Sequence, residues 1–207
     1  MSDYSLVEIS KYIGGKLHGS DKLVSGFSID SRTMVSNDVF ICIKGEKYDG
    51  HNFIQDILSS AACVVISRDI NSIDLSKKSY IKVNDTFQAL QKMSEYVRSQ
   101  SKAKFIAITG SNGKTTVKEM LAHILSDYDI TYTKGNFNNH IGVPLTLLSI
   151  NRKDNFVILE VGSNKPGEIE PLSKLIKPDI AVVTNIGYAH IEGFKSLKNT
   201  AHEKYCI

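Results

Sequence analysis

The sequence predicts an α/β fold in two parts, a small α/β unit over residues 1–103 followed by a parallel-sheet domain over 104–207. Three observations lead there. Amphipathic helical spacing and short apolar runs alternate along the whole chain. After residue 104 the strand-like runs are apolar throughout and separated by helices, the pattern of a parallel sheet covered on both faces. One of those strands enters a helix through a glycine-rich turn, Gly110-Ser111-Asn112-Gly113. A length of 207 residues suits two small domains.

In chain order, Ser5 and Glu8 stand at capping-box spacing, and Leu6, Ile9 and Ile13 form a helical face that Gly14-Gly15 terminates. Strands are predicted over 23–29, 39–43, 63–66 and 80–83, with a helix over 53–60. Asp85 is placed to cap a helix whose apolar face is Phe87, Leu90, Met93 and Val97. The polar stretch 98–104 then marks the boundary, near residue 103. Beyond it the expected order is strand 105–109, helix 114–126, strand 130–133, helix 143–150, strand 156–161, helix 168–176, strand 180–184 and a helix starting at Ser196. Val117, Met120, Leu121, Ile124 and Leu125 are expected to form the buried face of the helix that follows the glycine turn.

Composition narrows the function classes. Apolar residues make up 42% and charged residues 23%, an ordinary globular mixture. The net charge of +3 (25 − 22) is spread along the chain without a basic arm, so nucleic-acid binding is not expected. No apolar run approaches the ~18 residues that span a bilayer. The first residues carry Asp3 and Glu8 and no apolar core of a secretory signal, so neither a membrane span nor export is expected and the cytoplasm is the predicted compartment. Cys42, Cys63 and Cys206 are odd in number and far apart, which predicts reduced thiols, the first two buried.

The chemistry concentrates at Thr109-Gly110-Ser111-Asn112-Gly113-Lys114-Thr115-Thr116. Glycines let backbone N–H groups turn inward around phosphate oxygens, and the helix N-terminus adds partial positive charge. Lys114 can reach the outer phosphates of a nucleoside triphosphate, and a Thr115 or Thr116 hydroxyl can ligate Mg²⁺. The loop is shorter than the common G-x-x-x-x-G-K-[ST], because Ile108 occupies the position of the first glycine. Glu160, at the end of an apolar strand, would face the same crevice and hold a cation. His190, in the loop after the strand over 180–184, lies at the same sheet edge and can ligate a second cation or orient a phosphate.

The runs TGSNGKTT (109–116), GNFNNHIGVPLTLL (135–148), LEVGSNKPGEI (159–169) and TNIGYAHIEGF (184–194) resemble the ATP-binding core of the Mur ligases. Within that family they are most similar to the branch that adds D-alanyl-D-alanine to a UDP-N-acetylmuramoyl-tripeptide. Asp30-Ser31-Arg32, Asp38-Val39-Phe40 and Asp49-Gly50-His51-Asn52-Phe53 resemble the family's UDP-sugar-binding module. The resemblance implies an ATP-dependent amide ligase of peptidoglycan precursor synthesis that works through an acyl phosphate. By motif, Thr115 and Glu160 would hold one Mg²⁺ and His190 a second. Asn136, Asn139 and Asn185 would line the crevice, and Ser31, Arg32 and His51 would contact the uridine diphosphate end. Lys204 falls where the family carries a lysine carbamylated by CO₂, which turns an ammonium into an oxygen ligand for Mg²⁺. Tyr188 stands where the family has a smaller residue, and Cys206 where it has an acid.

The family continues through the rest of the nucleotide domain and a third, Rossmann-like domain, and neither is within these 207 residues. The resemblance therefore implies an incomplete nucleotide domain, with an exposed sheet edge, in an ATP-dependent amide ligase or in the N-terminal part of one that works with a separately encoded C-terminal portion. The alternatives are a non-catalytic module that binds nucleotide or UDP-sugar, or a decayed gene product.

Overall fold

A computed structural model describes residues 4–70, 75, 78–188 and 191–207. The chain divides into two units, Met1–Tyr96 and Val97–Ile207.

In the first unit, strand β1 (Tyr4–Ser5) leads into helix α1 (Leu6–Ile13). Ser5 caps the helix by accepting from the Glu8 N–H at 3.4 Å, and Gly14, at φ 73°, ends it in the left-handed conformation that glycine adopts freely. Strand β2 (Lys16–His18) follows, a strand absent from the sequence prediction. The strand predicted over 23–29 is two strands in different sheets. β3 (Leu23–Val24) pairs antiparallel with β1, whereas β4 (Gly26–Ser28) pairs parallel with β5 (Asp38–Ile41). A Cβ at Gly26 would collide with the Asp38 side chain, so the change of partner occurs where the chain can approach its neighbour most closely. A single 3-10 turn (Gly50–Phe53) and the short helix α2 (Ile54–Ile57) precede β6 (Cys63–Ile66) and β7 (Ser79–Lys82). The five-stranded sheet has the order β2-β7-β6-β5-β4, parallel except for β2. Phe40, Cys42, Ile54, Ile57, Ala61, Val64 and Ile66 form a core on it. Both cysteines are buried as predicted, and burial pushes the Cys63 thiol up to about 12.

Helix α3 (Thr86–Gln100) is capped by the Asp85 carboxylate, which accepts from the Phe87 and Gln88 N–H groups at 2.7 and 3.1 Å. The division between units falls inside this helix, ahead of residue 103. Arg98 shows why. Its Nε donates to the Ile176 carbonyl at 2.6 Å, its Nη2 to the Lys177 carbonyl at 2.9 Å, and its guanidinium lies 3.6 Å from the centroid of the Phe105 ring. The last turn of α3 therefore packs as part of the second unit.

That unit runs β8 (Lys104–Thr109), α4 (Lys114–Ile124), β9 (Ile130–Tyr132), α5 (Gly142–Leu148), β10 (Phe156–Glu160), α6 (Ile169–Ile176), β11 (Ile180–Val183), α7 (Ile191–Phe194) and α8 (Leu197–Lys204). All its strand pairs are parallel, in the order β11-β8-β10-β9. The central strands β8 and β10 are buried almost throughout, whereas β11, at the edge, leaves Ile180 51% exposed. The face that α4 turns to the sheet differs from the sequence expectation. Met120 and Ile124 are exposed, and the buried residues are Lys118 and Ala122, flanked by half-buried Val117, Leu121 and Leu125. An alanine and a lysine stem fill the space against the sheet, and apolar counting alone does not register them.

Candidate nucleotide site

The end of β8 carries Thr109, fully buried, into the glycine turn. Gly110 has φ 142° and a Cβ there would collide with the Thr184 hydroxyl; Gly113, at φ 77°, starts α4. The turn is held from the chain that leaves β11. Ser111 N–H donates to the Asn185 carbonyl at 3.0 Å, and Asn112 N–H to Asn185 Oδ1 at 3.0 Å. Ser111 Oγ donates to the Gly187 carbonyl and accepts from the Gly187 N–H, at 3.0 and 2.9 Å. Thr184 Oγ1 donates to the Asn112 carbonyl at 2.6 Å. Lys114 folds over the turn and donates to the Gly110 carbonyl at 2.8 Å. Asn185, named from the sequence, is thus part of the loop's scaffold, and Thr116 is exposed on the first turn of α4.

Next to this turn, Thr115 Oγ1 donates to Glu160 Oε2 at 2.8 Å. The carboxylate is 2% exposed, and its other oxygen accepts from Asn138 Nδ2 at 2.9 Å. Both donors are neutral, so a buried anion stands here without a cationic partner among the described residues. A hydroxyl and a carboxylate in contact, with the charge unbalanced, suit a hard divalent cation. Among the described residues no group of three or more His, Cys, Asp or Glu gathers around a common point. His190, predicted as a ligand of a second cation, lies outside the described residues.

The loop after β9 adds a residue to the sequence expectation. Asn138 is the asparagine that reaches Glu160, and it was not among the predicted residues. Asn139 instead turns its Oδ1 to the Ile141 and Gly142 N–H groups, at 3.0 and 2.9 Å, at the entry to α5. Asn136 is exposed, and its carbonyl accepts from the Asn138 N–H at 2.8 Å. In an N-x-N-N run each amide has the same chemistry, and only the turn decides which one points at the carboxylate.

Lys204 is 2% exposed and donates to Ser163 Oγ at 2.7 Å. Burial, and then repulsion from Lys114, lower its pKa to about 8. Glu203 beside it is also buried. Tyr188 is 75% exposed, so its ring stands in solvent and does not crowd the loop.

In the first unit the predicted residues are placed differently. Arg32 has an exposed side chain, and its Nε and Nη2 bind Asp30 Oδ1 and Oδ2 at 2.9 and 2.6 Å. Those hydrogen bonds hold the Asp30 carboxyl down to about 2. Ser31, half-buried, sits between them. His51 is 4% exposed, with Nδ1 2.6 Å from Asp49 Oδ1 and Nε2 accepting from the Ser67 N–H at 3.1 Å. Both ring nitrogens are therefore engaged within the unit. The residue that shares Asp49 and remains half exposed is Arg68, bound to Asp49 Oδ2 and Asn52 Oδ1 at 3.2 Å each.

Comparison with known proteins gives the following similarities. Residues 23–106 match the catalytic domain of the Mur ligase family and residues 108–207 the Mur ligase middle domain. A UDP-N-acetylmuramoyl-tripeptide--D-alanyl-D-alanine ligase from Haemophilus influenzae is 38% identical over 99% of this chain, which covers 46% of that protein. A crystal structure of MurF from Acinetobacter baumannii superposes with a TM-score of 0.88 at 32% identity, covering all of this chain and 46% of that one. A MurF ligase from Thermotoga maritima, solved in complex with ADP, gives 0.77 at 31% identity, over 89% of this chain and 43% of that one. The chain thus spans about half the length of the relatives it matches.

Proposed function

Because the chain belongs to the Mur ligase family, whose first and middle domains it carries, we propose that it forms the UDP-sugar and ATP half-sites of a MurF-type ligase. The reaction joins D-alanyl-D-alanine to a UDP-N-acetylmuramoyl-tripeptide. The single observation that carries this reading is the glycine turn with Lys114, next to which the buried Glu160 accepts from the Thr115 hydroxyl without a cationic partner among the described residues. The MurF relative that binds ADP supports a nucleotide as the ligand.

In this reading the turn's N–H groups and Lys114 hold the phosphates of ATP, with Lys114 leaving the Gly110 carbonyl to do so. Mg²⁺ held by Thr115 and Glu160 would withdraw charge from the phosphate oxygens. The tripeptide's terminal carboxylate attacks the γ-phosphorus and ADP departs. The amine of D-alanyl-D-alanine then attacks the acyl carbon, loses a proton and expels phosphate. Catalysis is mainly positioning and charge stabilisation, which suits a site built from a rigid turn and buried charges. Lys204 suits carbamylation, since a pKa of about 8 leaves more of its amine neutral and able to add CO₂ than an ordinary lysine. The resulting carbamate would be a second oxygen donor for Mg²⁺, and the family resemblance assigns His190 a second cation. In the first unit, Ser31, Arg32 and Arg68 offer the uridine diphosphate end its polar contacts, and His51 acts by holding Asp49. The relatives are about twice as long as this chain, and the whole reaction is proposed for a ligase of that length.

Calorimetric titration tests the reading. The chain is expected to bind a non-hydrolysable ATP analogue with Mg²⁺, and separately UDP-N-acetylmuramoyl-tripeptide. Lys114→Ala should weaken the nucleotide by about 100-fold, the loss of a charge-assisted phosphate contact of ~3 kcal/mol, and leave the UDP ligand unaffected. A folded chain that binds neither ligand would refute it.

A further inference from the structure

The last turn of α8 carries two consecutive buried charges, Glu203 at 3% and Lys204 at 2% exposure. Neighbouring residues on a helix project about 100° apart, so the two side chains leave in different directions, and both reach the loop that joins β10 to α6. Glu203 Oε2 accepts from the Gly167 N–H at 2.6 Å, and its Oε1 from the Glu168 and Ile169 N–H groups at 3.0 and 2.8 Å. Lys204 donates to Ser163 near the other end of the same loop. The N-terminus of α6 has no cap of its own, because Glu168 turns its Oε2 back to the Asn164 and Lys165 N–H groups. The unpaired N–H groups of that first turn are satisfied from 35 residues further along the chain, by a carboxylate that the helix dipole also favours. Packing agrees, since a Cβ at Gly193 would collide with the Asn164 carbonyl oxygen. The loop so held begins at Glu160, and its Gly162 N–H donates to the Asn138 carbonyl at 2.8 Å.

We infer that Glu203 is a positioning residue of the nucleotide site: by clamping the start of α6 it fixes both Lys204 and the loop that leaves Glu160. The inference deepens the reading above and rests on it for what Lys204 does, while its geometry belongs to the second unit alone. A carboxylate that served only as a helix cap would stabilise α6 without governing Lys204. One that positions does both, and the two readouts separate them.

The test uses the full chain without nucleotide. Glu203→Ala and Glu203→Gln are compared with wild type by amide hydrogen exchange and by the rate at which acetic anhydride acylates Lys204, read by peptide mass spectrometry. In Glu203→Ala the amides of 167–169 and the acylation of Lys204 should both speed up about tenfold, the scale of losing one helix cap, with β8 and β10 amides unchanged. Glu203→Gln, which keeps one accepting oxygen, should recover part of both. Lys204 acylated at the wild-type rate while the 167–169 amides are released, or amides that stay protected, would overturn the inference. If Glu203→Ala does not fold, the same two readouts on Glu203→Gln decide it. Failure of the nucleotide reading would appear only in the ATP-analogue titration and would leave these rates as they are.

Discussion

The two units treat a charge withdrawn from solvent in opposite ways. In the first, the half-buried Asp49 is matched on each side. The His51 ring takes one oxygen and Arg68 the other, and His51 passes its second nitrogen to the Ser67 N–H. Burial works against that carboxyl, yet the His51 amide and ring and the Arg68 charge hold its pKa below the ordinary value. In the second, Glu160 receives only a hydroxyl and an amide among the described residues, and Lys204, hydrogen-bonded to the Ser163 hydroxyl, is still disfavoured as a cation, because burial and Lys114 outweigh Glu203 and Glu168. A matched cluster is complete in itself and contributes to stability. An unmatched one leaves a charge for something else to balance, and a bound cation or phosphate does so.

The comparison is broken most directly at Glu160. Glu160→Gln should lower Mg²⁺-dependent affinity for an ATP analogue by about 100-fold while leaving thermal stability equal or higher, because the lost charge had no internal partner. Calorimetry with and without Mg²⁺, beside a melting curve, checks both halves. Loss of stability with unchanged Mg²⁺ dependence would place Glu160 with Asp49 as a structural charge. At His51 the expectation is reversed: His51→Ala should lower the unfolding free energy of the first unit by ~2–3 kcal/mol in urea titration, since it strands Asp49 and the Ser67 N–H. Arg32→Ala, at an exposed pair, should stay within ~0.5 kcal/mol.

Lys204 sharpens the contrast through pH. Its folded pKa of about 8 lies below the ordinary 10.5, so between these values the unfolded chain binds more protons and stability rises with pH. Lys204→Met should therefore be more stable than wild type at pH 7, on the order of 2 kcal/mol, with the gap closing between pH 8 and 10.5. Unfolding followed in CO₂-free buffer across that range would show it. A gain smaller than that at Lys204 is expected at Lys118, fully buried, whose Nζ lies 2.9 Å from Glu119 Oε1 but outside hydrogen-bond geometry. Adjacent helix positions do not face each other, so Lys118→Met should raise the melting midpoint by the equivalent of ~1 kcal/mol.

How far the sequence could be read depended on distance along the chain. The turn from Thr109 to Thr116 was legible because eight consecutive residues make it, and Glu160 because a strand end points where the sheet edge points. Asp85 and Ser5 were legible as caps for the same local reason. Asn138 was missed because three asparagines of like chemistry crowd one loop. Glu203, Ser163 and Arg98 were missed because their partners lie far along the chain, and no local pattern marks such a pair. The burial of His51 was not legible, since it comes from the strands around it. The strand over 23–29 was read as one because its hydrophobic pattern continues across Gly26, while the change of partner depends on Asp38.

Arg98 carries a practical lesson for dissecting the molecule. A polar linker invites cutting the chain near residue 103, yet a second unit begun there would lack the guanidinium that covers Phe105 and closes the Ile176 and Lys177 carbonyls. Two carbonyls at the end of α6 and one aromatic face of β8 would then meet water at the root of the sheet. A unit begun upstream of Val97 keeps that seal, so the severable point of this polypeptide lies inside a helix, where composition gives no sign of it.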